Sequence, residues 1–250
     1  MNATDPIRWA AVAGFALLWA GGVFSYAVLG GPPEGVAWTA PAFLALAAAV
    51  VLAYTPRRHW GWLGLAAAVG FVTELCGVAF GVPFGGYHYT GVLAPTFLGV
   101  PLVLGCAWLV LVVYVQHQPV LQRVPRLLRP ALAAAWMTAL DFVIDPLAAG
   151  PLGYWRWDGD GAWYGIPWTN FLGWFVTSLV IFALVPRGFR PPAAARLVGS
   201  AIMLFFTLIA AALSLWPLVL VGAALLLPDA FAAFKLAREA RAARGRVVAA

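Results

Sequence analysis

The 250-residue chain is 64% hydrophobic and only 10% charged, so it lacks the polar surface needed to coat a water-soluble globule of its size. Its net charge of +6 sits at the ends of apolar runs, which is a signal of membrane orientation and gives no case for a nucleic-acid partner. The two cysteines, Cys76 and Cys106, both fall inside apolar runs and imply no disulfide framework.

Roughly 20 apolar residues cross the hydrocarbon core of a bilayer. Runs near 9–29, 39–55, 60–82, 97–115, 131–149, 170–186, 197–213 and 214–234 therefore predict eight spans. The first run follows Arg8, and Ser25-Tyr26-Ala27 resembles a signal-peptidase site, but the run is long for a signal peptide and is read as a span. Only Leu213-Ser214-Leu215-Trp216-Pro217 separates the last two runs, and the basic residues decide the count. With eight spans, all but Arg156 of the 15 lysines and arginines fall on one side; with seven, they divide far less cleanly. The positive-inside rule then predicts an all-α, polytopic bundle of about eight transmembrane helices in the cell membrane, with both termini cytoplasmic. Residues 1–234 form one transmembrane domain, and 235–250 form a basic cytoplasmic tail that reads as a helix lying on anionic lipid.

In this topology the non-basic side collects the unusual residues. Glu74 lies about two turns before the outer end of the third span, and Asp141 and Asp145 lie in the outer half of the fifth. The loops that follow, GVPFGGYHYTGVLAP and GPLGYWRWDGDGAWYGIPWTN, are rich in aromatics, glycine and proline and suit an interface or a fold-back lid. The two hairpins share an order of acid, Pro-apolar-Gly-aromatic loop, and Phe-Leu-Gly (Phe97-Leu98-Gly99 and Phe171-Leu172-Gly173). Read as a parallel repeat, this makes Glu74 and Asp141 counterparts facing one site. Gly70, Gly77 and Gly81 share a helical face with Glu74, which suits either close helix packing or a flat ligand beside the acid.

A carboxylate at mid-helix costs on the order of 3 kcal/mol on insertion scales. Three of them point to proton or ion handling, substrate binding or catalysis, with hydrogen bonding between protonated acids and neighbouring helices as the structural alternative. Asp145 precedes Pro146, which disfavours α conformation and predicts a kink there. The three histidines, His59, His88 and His117, form neither a histidine-rich box nor a Glu-x-x-His pair, so no metal site is expected. The DGDG at 158–161 lacks the Glu that closes a calcium loop, because Thr169 stands at its twelfth position. Phosphate-cradling glycine motifs are missing, and no serine or cysteine has a histidine nearby in the topology. Acid chemistry in an aromatic, water-poor cavity remains.

Glu74 with Gly77, Gly81 and VPFGGYHY, Asp141 within DFVIDP, and YGIPWTNFLGW at 164–174 together resemble the membrane carotenoid-biosynthesis family of carotenoid 1',2'-hydratases, over residues 70–175. The resemblance implies a carotenoid substrate, no cofactor, and addition of water to an acyclic end to leave a tertiary alcohol. It also implies a setting in the lipid bilayer among other carotenoid-pathway enzymes. Such a reaction needs a proton on the less substituted carbon of a trisubstituted alkene, then capture of the tertiary cation by water. A carboxylic acid can donate the proton, a neighbouring carboxylate can share it, and tryptophan and tyrosine faces stabilise the cation. The expected roles are Asp141 as donor and Glu74 or Asp145 as its partner and as base for water. Tyr87, Tyr89 and Asn170 would position the water, with Asn170 equally placed for a helix N-cap. Trp155, Trp157 and Trp168 would line the cation pocket, with the polyene along the Gly77 and Gly81 face. The rival readings are a proton-coupled transporter using the same acids as a relay, and a lycopene-cyclase-like enzyme quenching the cation with an alkene.

Overall fold

A computed structural model describes residues 6–248, without the side chains of 236 and 240–248; those of Arg241, Arg244 and Arg246 in the predicted tail therefore lie outside the described residues. The helices are α1 (Pro6–Val28), α2 (Thr39–Tyr54), α3 (Trp60–Phe80), α4 (Leu104–Gln116), a short α5 (Pro119–Arg123), α6 (Arg129–Ala149), α7 (Trp168–Ala183), α8 (Ala193–Ala212) and α9 (Trp216–Val248). Prolines mark several starts, as their fixed φ and missing N–H allow: Pro119 and Pro130 lie in the first turns of α5 and α6, and Pro167 and Pro192 precede α7 and α8.

Among the described residues, five stretches are long and apolar enough to cross a membrane: Pro6–Val28, Arg57–Phe80, Arg129–Ala149, Ala193–Ala212 and Trp216–Glu239. Helices α2, α4 and α7 are apolar but shorter, at 16, 13 and 16 residues. Leu17, Val72, Leu172, Leu197 and Leu220 are exposed, as side chains facing hydrocarbon would be, since lipid tails are as apolar as leucine. Helix α4 is buried on all sides from Trp108 to Val115, and packs on α2, α3, α6 and α8. A helix apolar all round belongs at the centre of a bundle.

Two departures from the sequence reading shape the site. The predicted fourth span, 97–115, begins as a helix only at Leu104. Before it, Thr96–Phe97 (β2) and Val100–Pro101 (β3) make a tight hairpin, because Leu98 and Gly99 both take positive φ. The Phe-Leu-Gly triplets of the two predicted repeats are therefore unlike: one is a hairpin tip, the other lies within α7. Pro146, where a kink was expected, does not end the helix: α6 continues through it to Ala149. The proline has no N–H for the carbonyl of Phe142, four residues back, and the Trp163 indole donates to that carbonyl instead at 2.9 Å.

At the end of α4 away from this hairpin lies a polar knot that the sequence reading did not single out. Asp229 of α9 accepts hydrogen bonds from Tyr114 (2.7 Å), Ser200 (2.8 Å) and Arg196 Nε (2.6 Å), tying α4, α8 and α9 together.

Candidate active site

Helices α3 and α6 end on the same side of the bundle, because the loops leaving them pair with each other. Tyr87–Tyr89 (β1) and Trp155–Trp157 (β4) form a two-stranded antiparallel ladder in the register Tyr87↔Trp157, His88↔Arg156, Tyr89↔Trp155. Strands alternate their side chains between two faces. The middle pair, His88 and Arg156, is exposed, and His88 reaches Asp158 at 3.2 Å. The four flanking aromatics turn the other way, toward the helices and their acids.

The two strands serve different carboxyls. Tyr87 and Tyr89 donate to Glu74 Oε2 at 2.5 and 2.9 Å, and the Trp108 indole of α4 donates to Glu74 Oε1 at 3.1 Å. Trp155 and Trp157 donate to Asp145 Oδ1 at 2.7 and 3.4 Å. Burial, followed by the neighbouring Glu74 charge, pushes both tyrosine phenols well above their ordinary range. The arrangement makes Asp145, rather than Asp141, the counterpart of Glu74. The shared order of the two hairpins does not carry this, because it is the antiparallel register that sets which acid each strand meets.

Asp141 stands one turn below Asp145. The Asn170 side-chain nitrogen donates to Asp141 Oδ2 and Asp145 Oδ2, each at 2.7 Å, so one amide uses both of its protons to bridge two acids. This replaces the N-cap reading of Asn170; Pro167 holds the cap position of α7, and Asn170 lies inside the first turn. Asp141 Oδ1 is buried with no hydrogen-bond partner.

A small chamber of about 30 Å³ opens among these groups. Glu74, Asp145 and Asn170 are its polar walls, and Tyr87, Tyr89, Trp155 and Trp157 come from the ladder. Phe84, Leu104 and Trp174 complete it. Trp174 is stacked on Trp108 with ring centroids 4.5 Å apart, which couples the aromatic wall to the group that holds Glu74. Such a volume holds one or two waters, since about 10–15 Å³ suffices for one. Trp108 and Trp174 were not singled out from the sequence; as tryptophans inside apolar helices they carry no local mark of a site.

Several expected site residues stand elsewhere. Asp141 is separated from the chamber wall by Asn170 and Asp145. Trp168 is exposed and packs on Phe142 and Phe171, away from the acids. The glycine face of α3 is filled by the protein itself. A Cβ at Gly77 would fall 2.7 Å from the Tyr87 hydroxyl and 2.9 Å from Phe84, so Gly77 lets the ladder approach the helix and leaves no groove for a polyene. Gly81 takes φ +69° and ends α3, its N–H donating to the Gly77 carbonyl at 2.8 Å.

A family described as "Carotenoid biosynthesis protein" matches residues 36–237. A bisanhydrobacterioruberin hydratase of Haloarcula japonica is 32% identical over 126 residues, which cover 46% of this chain and 41% of that protein. The matched stretch thus spans less than half the length of that relative. No solved structure matches.

Proposed function

Because the chain belongs to the carotenoid biosynthesis protein family, we propose that it is a carotenoid hydratase, adding water across the terminal double bond of an acyclic carotenoid end group. The observation that carries this reading is the facing pair of carboxyls, Glu74 and Asp145, each held by two aromatic donors of one ladder around a chamber large enough for water. The name of the Haloarcula relative supports the same reaction class.

The neighbours of the two acids divide the work. Asp145 is held by indole and amide N–H groups, which only donate; they fix the carboxyl and stabilise the anion left after it gives up a proton. Asp145 is therefore the proton donor, placing its proton on the less substituted alkene carbon and leaving a tertiary cation. Glu74 is held by two hydroxyls, which both donate and accept, so a proton taken from water can pass through them. Glu74, with Tyr87 and Tyr89, orients the water that attacks the cation and takes its proton. The reaction consumes one alkene and one water, and the proton gained at Glu74 equals the one lost by Asp145; chamber water returns it. The faces of Trp155, Trp157 and Trp174 stabilise the cation without supplying a nucleophile.

Asp141 then acts behind Asp145. Its bare, buried Oδ1 would leave an ionised carboxylate uncompensated, so Asp141 is the neutral member of the Asn170-bridged pair. A neutral Asp141 lets Asp145 cycle through its charged form without a second buried anion beside it.

The test is incubation of purified protein with lycopene in ¹⁸O-labelled water. Label in a tertiary alcohol supports the reading. Unchanged lycopene, or a cyclised product without label, refutes it.

A further inference from the structure

Beside the acid chamber lies a second, much larger cavity of about 680 Å³, within the roughly 300–1,000 Å³ common for small-molecule sites. Its walls come from α1, α2, α4, α6 and α8, with residues 32–37 at one end. Along α1 it extends from Leu17 to Tyr26, about 14 Å at the helical rise of 1.5 Å per residue. The lining is apolar, with Phe43, Leu111, Ile202 and Phe205 on facing walls. Two hydroxyls on the wall are consumed locally: Ser25 donates to the Gly21 carbonyl at 2.8 Å and Thr39 to the Val36 carbonyl at 2.7 Å. The remaining polar groups are the phenols of Tyr26 and Tyr154 and the exposed Glu34 at residues 32–37.

The cavity and the chamber share three lining residues, Leu104, Trp155 and Trp174. These side chains stand where the two spaces adjoin, and two of them are held in place: Trp155 is bonded to Asp145, and Trp174 is stacked on Trp108. A long apolar molecule lying in the cavity comes nearest to Glu74 and Asp145 at these three side chains. The chamber, at about 30 Å³, has room for one or two waters, so the body of such a chain stays in the cavity.

We infer that this cavity is the binding site for the unreacting body of a long linear polyene, threaded so that one acyclic end passes Leu104, Trp155 and Trp174 into the acid chamber. The inference rests on the hydratase reading for the identity of the ligand, and it moves the polyene from the α3 glycine face to the space between α1, α2, α4 and α8. Apolar burial along the cavity supplies affinity, and these three side chains set how far the chain advances, placing the terminal double bond against Asp145.

Gly21 gives a clean handle. It lines the cavity, and a Cβ built on it meets no atom within 4 Å, so substitution there has room at its first carbon and puts a better helix former than glycine on the cavity wall. The experiment measures lycopene binding to the full chain in lipid nanodiscs, by induced circular dichroism of the polyene band, which needs no turnover. Wild type and Asp145→Asn are expected to bind alike. Gly21→Phe and, on the opposite wall, Ala107→Trp are expected to weaken binding at least tenfold, while Leu220→Trp on the lipid-facing side of α9 keeps wild-type affinity. Far-ultraviolet dichroism and thermal unfolding identify any variant that fails to fold, and the two filled variants from different helices guard against one doing so. Wild-type binding by both folded, filled variants would overturn the inference, and would mean that lycopene sits elsewhere while lipid occupies the cavity. Binding that is lost on filling, in a protein that never incorporates labelled oxygen, would leave the cavity assignment standing and remove the hydratase reading.

Discussion

Tyr87 and Trp157 face each other across the β1–β4 ladder, their rings 5.0 Å apart, yet they donate to different acids: Tyr87 to Glu74 on α3 and Trp157 to Asp145 on α6. A three-residue ladder thus fixes the positions of two carboxyls on separate helices, one strand to each. Preorganisation of this kind places the groups before substrate arrives, and it makes the two acids separable by experiment.

Asp145→Asn should remove turnover and Asp141→Asn should not. Loss of a general acid costs typically about 10²–10⁴ in rate, and Asp145 is the aspartate on the chamber wall. The Asp141→Asn side chain preserves a neutral group behind Asn170, so a reduction of no more than about tenfold is expected, well below that range. Initial rates of ¹⁸O incorporation by the two variants decide the matter. Equal, complete loss in both would show that the pair works as one unit, and full activity in Asp145→Asn would exclude it as the donor.

The phenols of Tyr87 and Tyr89 give a pH signature. Burial and the neighbouring Glu74 raise both above the ordinary tyrosine value of about 10. The folded state therefore holds these protons where the unfolded chain has already released them. Their contribution to stability is fully present below about pH 10 and is lost as pH rises beyond it. Thermal unfolding of wild type should fall in that range more steeply than that of Tyr87→Phe/Tyr89→Phe. The number of tyrosines whose titration at 295 nm is released by denaturation should be two greater in wild type than in Tyr87→Phe/Tyr89→Phe. Identical slopes would show that the phenols are not held neutral by the fold. The same double variant leaves Glu74 with only the Trp108 donor, so its ¹⁸O incorporation should drop at least tenfold.

The acids could be read from the sequence because a charge inside an apolar run stands out whatever the fold. The ends of α3, α6 and α7 were legible for a similar reason: glycine and proline act locally. What could not be read was register. The strands are three residues long, lie in loops of glycine and aromatics, and have no alternation long enough to show a period. Pairing Glu74 with Asp141 followed from the shared order of acid, proline-glycine-aromatic loop and Phe-Leu-Gly, whereas the antiparallel register hands Trp155 and Trp157 to Asp145. Pro146 does not end α6. Its effect on α6 is offset by Trp163, more than a dozen residues away, which satisfies the Phe142 carbonyl and keeps Asp145 helical. Asp229 is the exception: it also lies in an apolar run, but near the end that leads into the basic tail, and its partners, Tyr114, Arg196 and Ser200, lie on two other helices.

Asp229 separates stability from chemistry. It is nearly buried, pairs with Arg196 and accepts from two hydroxyls at the end of α4 opposite the hairpin. Breaking a buried ion pair by removing one partner costs about 3–5 kcal/mol, because the other charge is left uncompensated. Asp229→Ala should lower thermal stability strongly, while molecules that remain folded at low temperature retain turnover. An inactive but normally stable Asp229→Ala protein would assign this knot a role in the reaction.

Asn170 offers the sharpest test of how the acids are arranged. Its amide nitrogen has two protons, and each is donated to a different carboxyl at 2.7 Å. An Asn170→Asp side chain has nearly the same shape but no such pair of donors, and it sets a third carboxyl against two others. If the bridge separates a neutral Asp141 from a reactive Asp145, this variant should fold yet fall at least about 10²-fold in rate, within the range for loss of a general acid. Asn170→Gln keeps the amide but lengthens its arm by one methylene. It should recover part of the activity, whereas Asn170→Leu, which fills space without donating, should recover none. The ordering Asn, Gln, then Asp and Leu in ¹⁸O incorporation, at comparable protein levels in the membrane, is the expected outcome. If Leu matched or exceeded Gln, packing rather than the two hydrogen bonds would set the rate, and Asn170 would be filler between α6 and α7.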